Sequence, residues 1–397
     1  MKSSAYIKEI EYYKQLWNDK VPETPFYNRI PFQSKLNLYI RLRHKINKLF
    51  KNLNTKSKIE INQLSSDDNL IKLLNLWLGV NANEFSSSIQ GSYVNSTEEF
   101  VNRVKSGWPE MSDDNIFQAL RNVWIMNLIQ VIAEKPVELT DSMFAYSMLY
   151  PLTDNIMDHK NISKVEKIQF VERLEQRLKG EKIEPELQEE HDIYRMVELI
   201  ESQYDRTIYP RVYESILEIH HAQFESLRQQ YEEVMTSEMI HITFHKGAAS
   251  VIADGFLVLG ELNSKWIDFL CGYGIVLQLA DDLQDTTEDE KNHHKTLFSS
   301  IENSDLFAHN TKKLIDLSHF TLKLMPCEST WLKAQVTALL KRSMQFLISD
   351  AIYVHQTKYP KYFYKEYDKS HPIGLSNHAK LKALCGGWME KVRARIT

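Results

Sequence analysis

The chain has 397 residues, 43% of them hydrophobic and 25% charged, which is the balance of a folded globular protein. A formal net charge of −5 argues against a general nucleic-acid binder. Only 12 Gly and 11 Pro interrupt the backbone, and scarcity of both helix breakers favours an all-α fold.

From the start, MKSSAYIKEIEYYKQLW is charged throughout and lacks the apolar stretch of a signal peptide. Helical periodicity follows over residues 35–52. Polar breaks come at 52–68 and 83–98, and a short run at 58–62 reads as extended. Residues 1–110 are therefore expected to form an N-terminal helical extension. Apolar residues at three- and four-residue spacing then predict helices over 114–134, 163–179, 209–235, 238–262, 265–290, 304–325 and 328–356. Polar breaks lie at 180–190 and 289–295, and residues 111–397 read as one helical bundle. A helix of about 25 residues spans ~38 Å, so a bundle of this size can enclose a deep apolar cavity. No stretch reaches the ~18 uninterrupted apolar residues of a membrane span; the richest, Ala248–Leu262, is broken by Asp254. Cys271, Cys327 and Cys385 form neither a CxxC pair nor a zinc spacing, so a reducing, cytoplasmic compartment is expected. The tail from Tyr353 to Lys369 alternates aromatic and basic residues, reading as a lid, a membrane-surface patch or a plain connector.

Two acidic clusters carry the chemistry. In Tyr150-Pro151-Leu152-Thr153-Asp154-Asn155-Ile156-Met157-Asp158, the aspartates Asp154 and Asp158 are four apart and share one helix face. Such a pair repels itself unless a divalent cation bridges it, although an isolated pair can also be a solvated acidic face. The second segment is Leu277-Gln278-Leu279-Ala280-Asp281-Asp282-Leu283-Gln284-Asp285-Thr286-Thr287-Glu288-Asp289. Asp281, Asp285 and Asp289 repeat every fourth residue and grow out of an apolar run that pulls the first carboxylates inward, where unpaired charge is costly. Oxygen-only ligands favour Mg²⁺ or Mn²⁺ over zinc.

Together the clusters resemble those of the class I isoprenoid synthases: prenyltransferases, squalene and phytoene synthases, and terpene cyclases. Asp154–Asp158 is similar to their first aspartate-rich motif. Asp281-Asp282-Leu283-Gln284-Asp285 is similar to the second, and the 281/285/289 spacing to the metal triad of the cyclases. Phe244-His245-Lys246-Gly247-Ala248-Ala249-Ser250 resembles the small-residue helix that lines the cavity in this superfamily. The phrases around 150–163 and 244–299 look closest to bacterial large-terpene synthases. The resemblance implies an isoprenoid-synthase bundle, a prenyl diphosphate substrate and three Mg²⁺ held by Asp154, Asp158, Asp281, Asp282, Asp285 and Asp289. It implies a lyase-type terpene synthase that ionises the substrate and releases diphosphate to give a linear or cyclic terpene. Asn155, in place of the second of two adjacent aspartates, favours ionisation without a co-substrate over prenyl transfer by elongation or head-to-head condensation. A non-catalytic isoprenoid-binding protein is the reading from another class. A homodimer and peripheral membrane contact are left open.

A diphosphate also needs cationic donors. The candidates are Lys246, Lys295 and Arg211, with His245 as a further donor. His241 and His245 have a metal-ligand spacing but no third ligand evident in the sequence. Tyr146, Tyr150, Phe244, Phe256, Trp266 and Tyr273 lie on cavity-forming helices, where they serve either core packing or stabilisation of a carbocation.

Overall fold

The computed structural model describes residues 6–19, 29–54, 87–159, 162–231 and 234–396, and among them every regular element is a helix. In chain order these are α1 (Ile7–Asp19), α2 (Phe32–Asn54), α3 (Ser87–Gly107), α4 (Asp113–Ile132) and α5 (Asp141–Asp158). Next come α6 (Lys164–Leu178), α7 (Glu190–Gln203), α8 (Pro210–Ser226), the single turn α9 (Arg228–Tyr231), α10 (Thr236–Leu259) and α11 (Ser264–Gln284). The chain continues through α12 (Thr286–Lys291), α13 (Ser304–Lys323), α14 (Thr330–Val354), α15 (Lys361–Ser370) and α16 (Leu375–Ile396). The extended run expected at 58–62 lies outside the described residues.

Local chemistry places the helix starts. Ser112, Thr140, Ser163, Asn263, Asn303 and Ser329 each accept a backbone N–H from the first turn with the side chain, satisfying donors that the helix leaves orphaned. At Ser163 the exchange is reciprocal, with Glu166 returning a carboxylate to the cap backbone. Gly260 ends α10 with φ +76°, a conformation that costs glycine little. The polar break expected at 83–98 is a correction: α3 runs through most of it. Its inward face is part apolar and part polar: Phe100 and Val104, one turn apart, are fully buried, and buried Ser96 and half-buried Thr97 bond across to Asn127 and Trp124 of α4.

The centre of the bundle is the antiparallel pair α10 and α11. The two helices touch backbone to backbone, since a Cβ built on Gly274 would lie 2.0 Å from the Gly247 carbonyl oxygen. Helix α10 is long and apolar enough to cross a membrane by length and composition, but 78% of its most apolar window is buried inside the bundle. Around this pair stand α4, α5, α8, α13 and α14. Helix α1 lies on the outer side of α10 and α11, where Trp17 meets Phe244 edge to face and Tyr13 donates to the Asp268 carbonyl at 2.9 Å. Tyr6, Ile10, Tyr13 and Trp17 of α1 and Phe100 and Val104 of α3 belong to the same apolar core as the rest of the bundle.

In the tail, Tyr359, Phe363 and Tyr367 stack on one another and are buried, with Tyr359 also against Phe307. The aromatics spaced four residues apart are thus core-facing, Tyr362 is exposed, and Lys361, Lys365 and Lys369 lie at the surface.

Candidate active site

A cavity of about 1290 Å³ opens between α3, α4, α5, α6, α8, α10, α11 and α14. It exceeds the roughly 300–1,000 Å³ usual for small-ligand pockets. Its depth is apolar: Leu128, Leu149, Leu174, Ile216, Val251 and Leu340 come from six different helices. Its rim is acidic. Asp281, Asp285, Glu288 and Asp289 all line it, with Arg121 and Lys246 beside them.

The acidic stripe keeps helical register across the break between α11 and α12. The Asp285 N–H donates to the Asp281 carbonyl at 2.9 Å, and the Asp289 N–H to the Asp285 carbonyl at 2.8 Å. This i, i+4 bonding is what puts three carboxylates on one line. Partial burial and the neighbouring charges of Asp281, Asp289 and Glu288 push the Asp285 carboxyl up to about 6, with Arg121 opposing. Arg121 Nη2 also reaches Asp281 Oδ1 at 3.1 Å. At the far end of the stripe, Asp289 lies 3.4 Å from His294 Nδ1 and accepts from the Thr296 hydroxyl at 3.4 Å.

The first cluster meets the same rim through Tyr150. The Tyr150 hydroxyl is raised above its ordinary range by burial, by the charge of and a hydrogen bond to Asp154, and by the charge of Asp281, with Arg121 opposing. Tyr150 thus stands between the two clusters, on a turn shaped by Pro151. Proline has no N–H for the Ser147 carbonyl, and the Thr153 hydroxyl bonds back to the Leu149 and Tyr150 carbonyls at 2.8 and 2.9 Å. Asp158 closes α5, and its side chain lies outside the described residues.

Other expected site residues are placed elsewhere. Asp282 turns away from the cavity into the α10–α11 interface. There its carboxyl accepts from Gln278 at 2.8 Å and from Thr243 at 3.3 Å. Burial pushes it up to about 7, with Gln278 and Lys246 opposing and Asp281 and Asp289 adding to the rise. The physical reason is angular: neighbouring helical residues diverge by about 100°, so Asp281 and Asp282 cannot share the rim. Lys295 is exposed on the loop after the stripe, where its backbone pairs with Gln229. Arg211 lies 4.9 Å over the Phe256 ring. That is ten residues along α10 from Lys246, roughly 15 Å at the helical rise. His245 faces α8 instead of the cavity and is bridged by Glu218 and Glu225 at 2.8 and 3.2 Å. Burial opposes its protonation, but hydrogen bonds donated by the imidazolium to both carboxylates, and their charge, outweigh that and raise it to about 9.

Of the six aromatics singled out, Tyr146, Tyr150 and Tyr273 line the cavity. Phe244 and Phe256 are fully buried in the core, and Trp266 packs against it. Tyr93, Phe117 and Trp124 line the cavity without having been anticipated, as do Arg121, Glu288 and His220. A cation isolated on an otherwise apolar helix was the one available signal for Arg121. Burial lowers the His220 imidazole to about 4, so it faces the cavity neutral.

Comparison with protein-family models, with curated proteins and with solved structures finds no match for this chain.

Proposed function

We propose that the chain is a class I isoprenoid synthase that ionises a prenyl diphosphate. The observation that carries the reading is one cavity with two chemically opposite ends: an apolar depth suited to a long hydrocarbon and a rim of carboxylates and cations suited to a metal-bound diphosphate. Asp281, Asp285 and Asp289 on the rim, with Asp154 connected to it through Tyr150, offer an oxygen-only donor set in which burial and the neighbouring charges disfavour ionisation of Asp285. That is the fit expected for a hard divalent cation, Mg²⁺ or Mn²⁺. When bound, such ions supply the charge neutralisation that makes diphosphate a competent leaving group.

The chain's own residues do the rest. Arg121 and Lys246 donate to the diphosphate oxygens, and Arg121 exchanges its pairing with Asp281 for one with substrate. The allylic C–O bond breaks with both electrons leaving on the diphosphate. The resulting cation is held among the rings of Trp124, Tyr146 and Tyr273. Water is kept out by the apolar wall, and neutral His220 is placed to accept the proton whose loss ends the reaction.

The experiment is incubation with single prenyl diphosphates of increasing chain length, with Mg²⁺ and no co-substrate. Release of diphosphate together with a hydrocarbon or alcohol product is expected. Turnover only after addition of isopentenyl diphosphate would reassign the site to prenyl transfer, and no turnover with any chain length would remove the enzyme reading.

A further inference from the structure

We propose a second metal site, for a borderline divalent cation of the zinc class, formed by Glu225 of α8 with His241 and His245 of α10. It stands apart from the carboxylate rim, on the face of α10 that meets α8. One ligating atom from each of the three residues lies within 4.8 Å of the other two. The imidazoles are four residues apart on one helix face and lie nearly parallel, with ring centroids 5.7 Å apart and 28° between planes.

Two details separate this cluster from an ordinary ion-pair network, and a third, a distance, is one that a metal also fits. First, His241 Nδ1 is buried and has no hydrogen-bond partner among the described residues. A buried imidazole nitrogen without a partner is costly, and a metal would satisfy it. Second, His245 is already oriented by an outer carboxylate. Its Nε2 lies 2.8 Å from Glu218 Oε1, which leaves Nδ1 directed at Glu225 Oε2. A carboxylate behind a ligating histidine is the usual outer partner of a zinc ligand. Third, the Nδ1–Oε2 separation is 3.2 Å. Two ligands of a tetrahedral zinc, at 2.0–2.1 Å from the metal, are separated by roughly 3.3 Å.

Two imidazoles and one carboxylate select zinc-like ions over Mg²⁺, which prefers oxygen ligands and retained water. Three protein ligands leave a fourth position for water. The ion would tie α8 to α10. These helices supply adjoining parts of the cavity wall, Ile216, Ile219 and His220 on one and Lys246, Gly247, Ser250 and Val251 on the other. The site therefore acts as a clamp on the cavity's shape.

The test is cobalt titration of the full chain after dialysis against a chelator. One equivalent of Co²⁺ is expected to bind with the visible absorption of a tetrahedral centre, to be displaced by Zn²⁺, and to raise the melting temperature. Mg²⁺ should do neither. His241→Gln and Glu225→Gln should each weaken Co²⁺ binding at least about tenfold, and Glu218→Gln by roughly 10–100-fold as an outer-partner loss. His241 and Glu225 are only partly buried, so the fold should survive their replacement, as far-ultraviolet circular dichroism would report. Asp281→Asn with Asp285→Asn should leave Co²⁺ affinity unchanged, which separates this site from the rim. Absence of a tetrahedral spectrum in the unsubstituted protein overturns the proposal. So does undiminished binding in the His241→Gln/Glu225→Gln double variant.

Discussion

Asp254 allows a sharp test of the folded core. It sits on α10 with no solvent exposure, and neither carboxyl oxygen has a hydrogen-bond partner among the described residues. Burial pushes its carboxyl well above the ordinary value of 3.8. The folded chain therefore keeps a proton that the unfolded chain releases once pH exceeds that value. With one extra proton bound in the folded state, stability must fall as pH rises. The slope is about 1.4 kcal/mol per pH unit, from the unfolded value upward toward the folded one. Asp254→Asn is never ionised, so it removes this slope. Any cost of burying the amide is the same at every pH and shifts the curve without tilting it. Above the unfolded value the variant should therefore gain stability on the parent protein steadily with rising pH, by at most about 1.4 kcal/mol per pH unit. For a chain of this size each such unit is roughly 3 °C or less in melting temperature. Paired thermal or denaturant unfolding at half-unit pH steps reads the difference directly. Parallel stability curves for the two proteins would refute the reasoning, because they would mean that Asp254 titrates alike in the folded and unfolded chains.

Three further expectations concern stability and the rim. The Arg121–Asp281 pair is solvent-exposed on both sides and is worth about 0–1 kcal/mol to the fold. Arg121→Gln should thus leave unfolding nearly unchanged while reducing diphosphate release, a split visible in parallel thermal and kinetic assays. Gly274→Ala would force a Cβ to within 2.0 Å of the Gly247 carbonyl. Since backbone must move, a loss of about 1–3 kcal/mol is expected, along with impaired turnover as Lys246 shifts away from the stripe. Arg173 holds the fully buried carboxylate of Glu190 through two guanidinium contacts, one of them 3.2 Å from Nε. Arg173→Met strands that charge and should cost about 3–5 kcal/mol, while adding Glu190→Leu should restore part of the loss.

Periodicity in the sequence was sufficient for the long apolar helices: the stretch 238–262 anticipates α10, and 304–325 anticipates α13 within two residues at either end. The register of Asp281, Asp285 and Asp289 was legible too, because an i, i+4 pattern survives a one-residue break between helices. Contacts from distant segments were not legible. Arg121 meets a carboxylate 160 residues away, and Glu225 joins His241 and His245 only because α8 runs antiparallel to α10. Composition also misread α3, where polar residues sit on the solvent face or, like Ser96 with Asn127, pair across an interface that Phe100 and Val104 also fill. Lys246 stood first and Lys295 second as sequence candidates, and packing puts the first on the rim and the second on an outer loop.

The central claim, that the carboxylates of the rim act as one metal–diphosphate site, is tested most directly by thermal-shift titration with Mg²⁺ and inorganic diphosphate, separately and together. Without a cation the rim repels diphosphate, and without diphosphate Mg²⁺ keeps its water and binds weakly. Each alone should therefore do little. Together, a ligand at ~100 times its dissociation constant contributes about 2.7 kcal/mol, which is a rise of several degrees at most. Asp281→Ala or Asp285→Ala should erase the synergy. Additive shifts, or the same combined shift in those variants, would contradict the account.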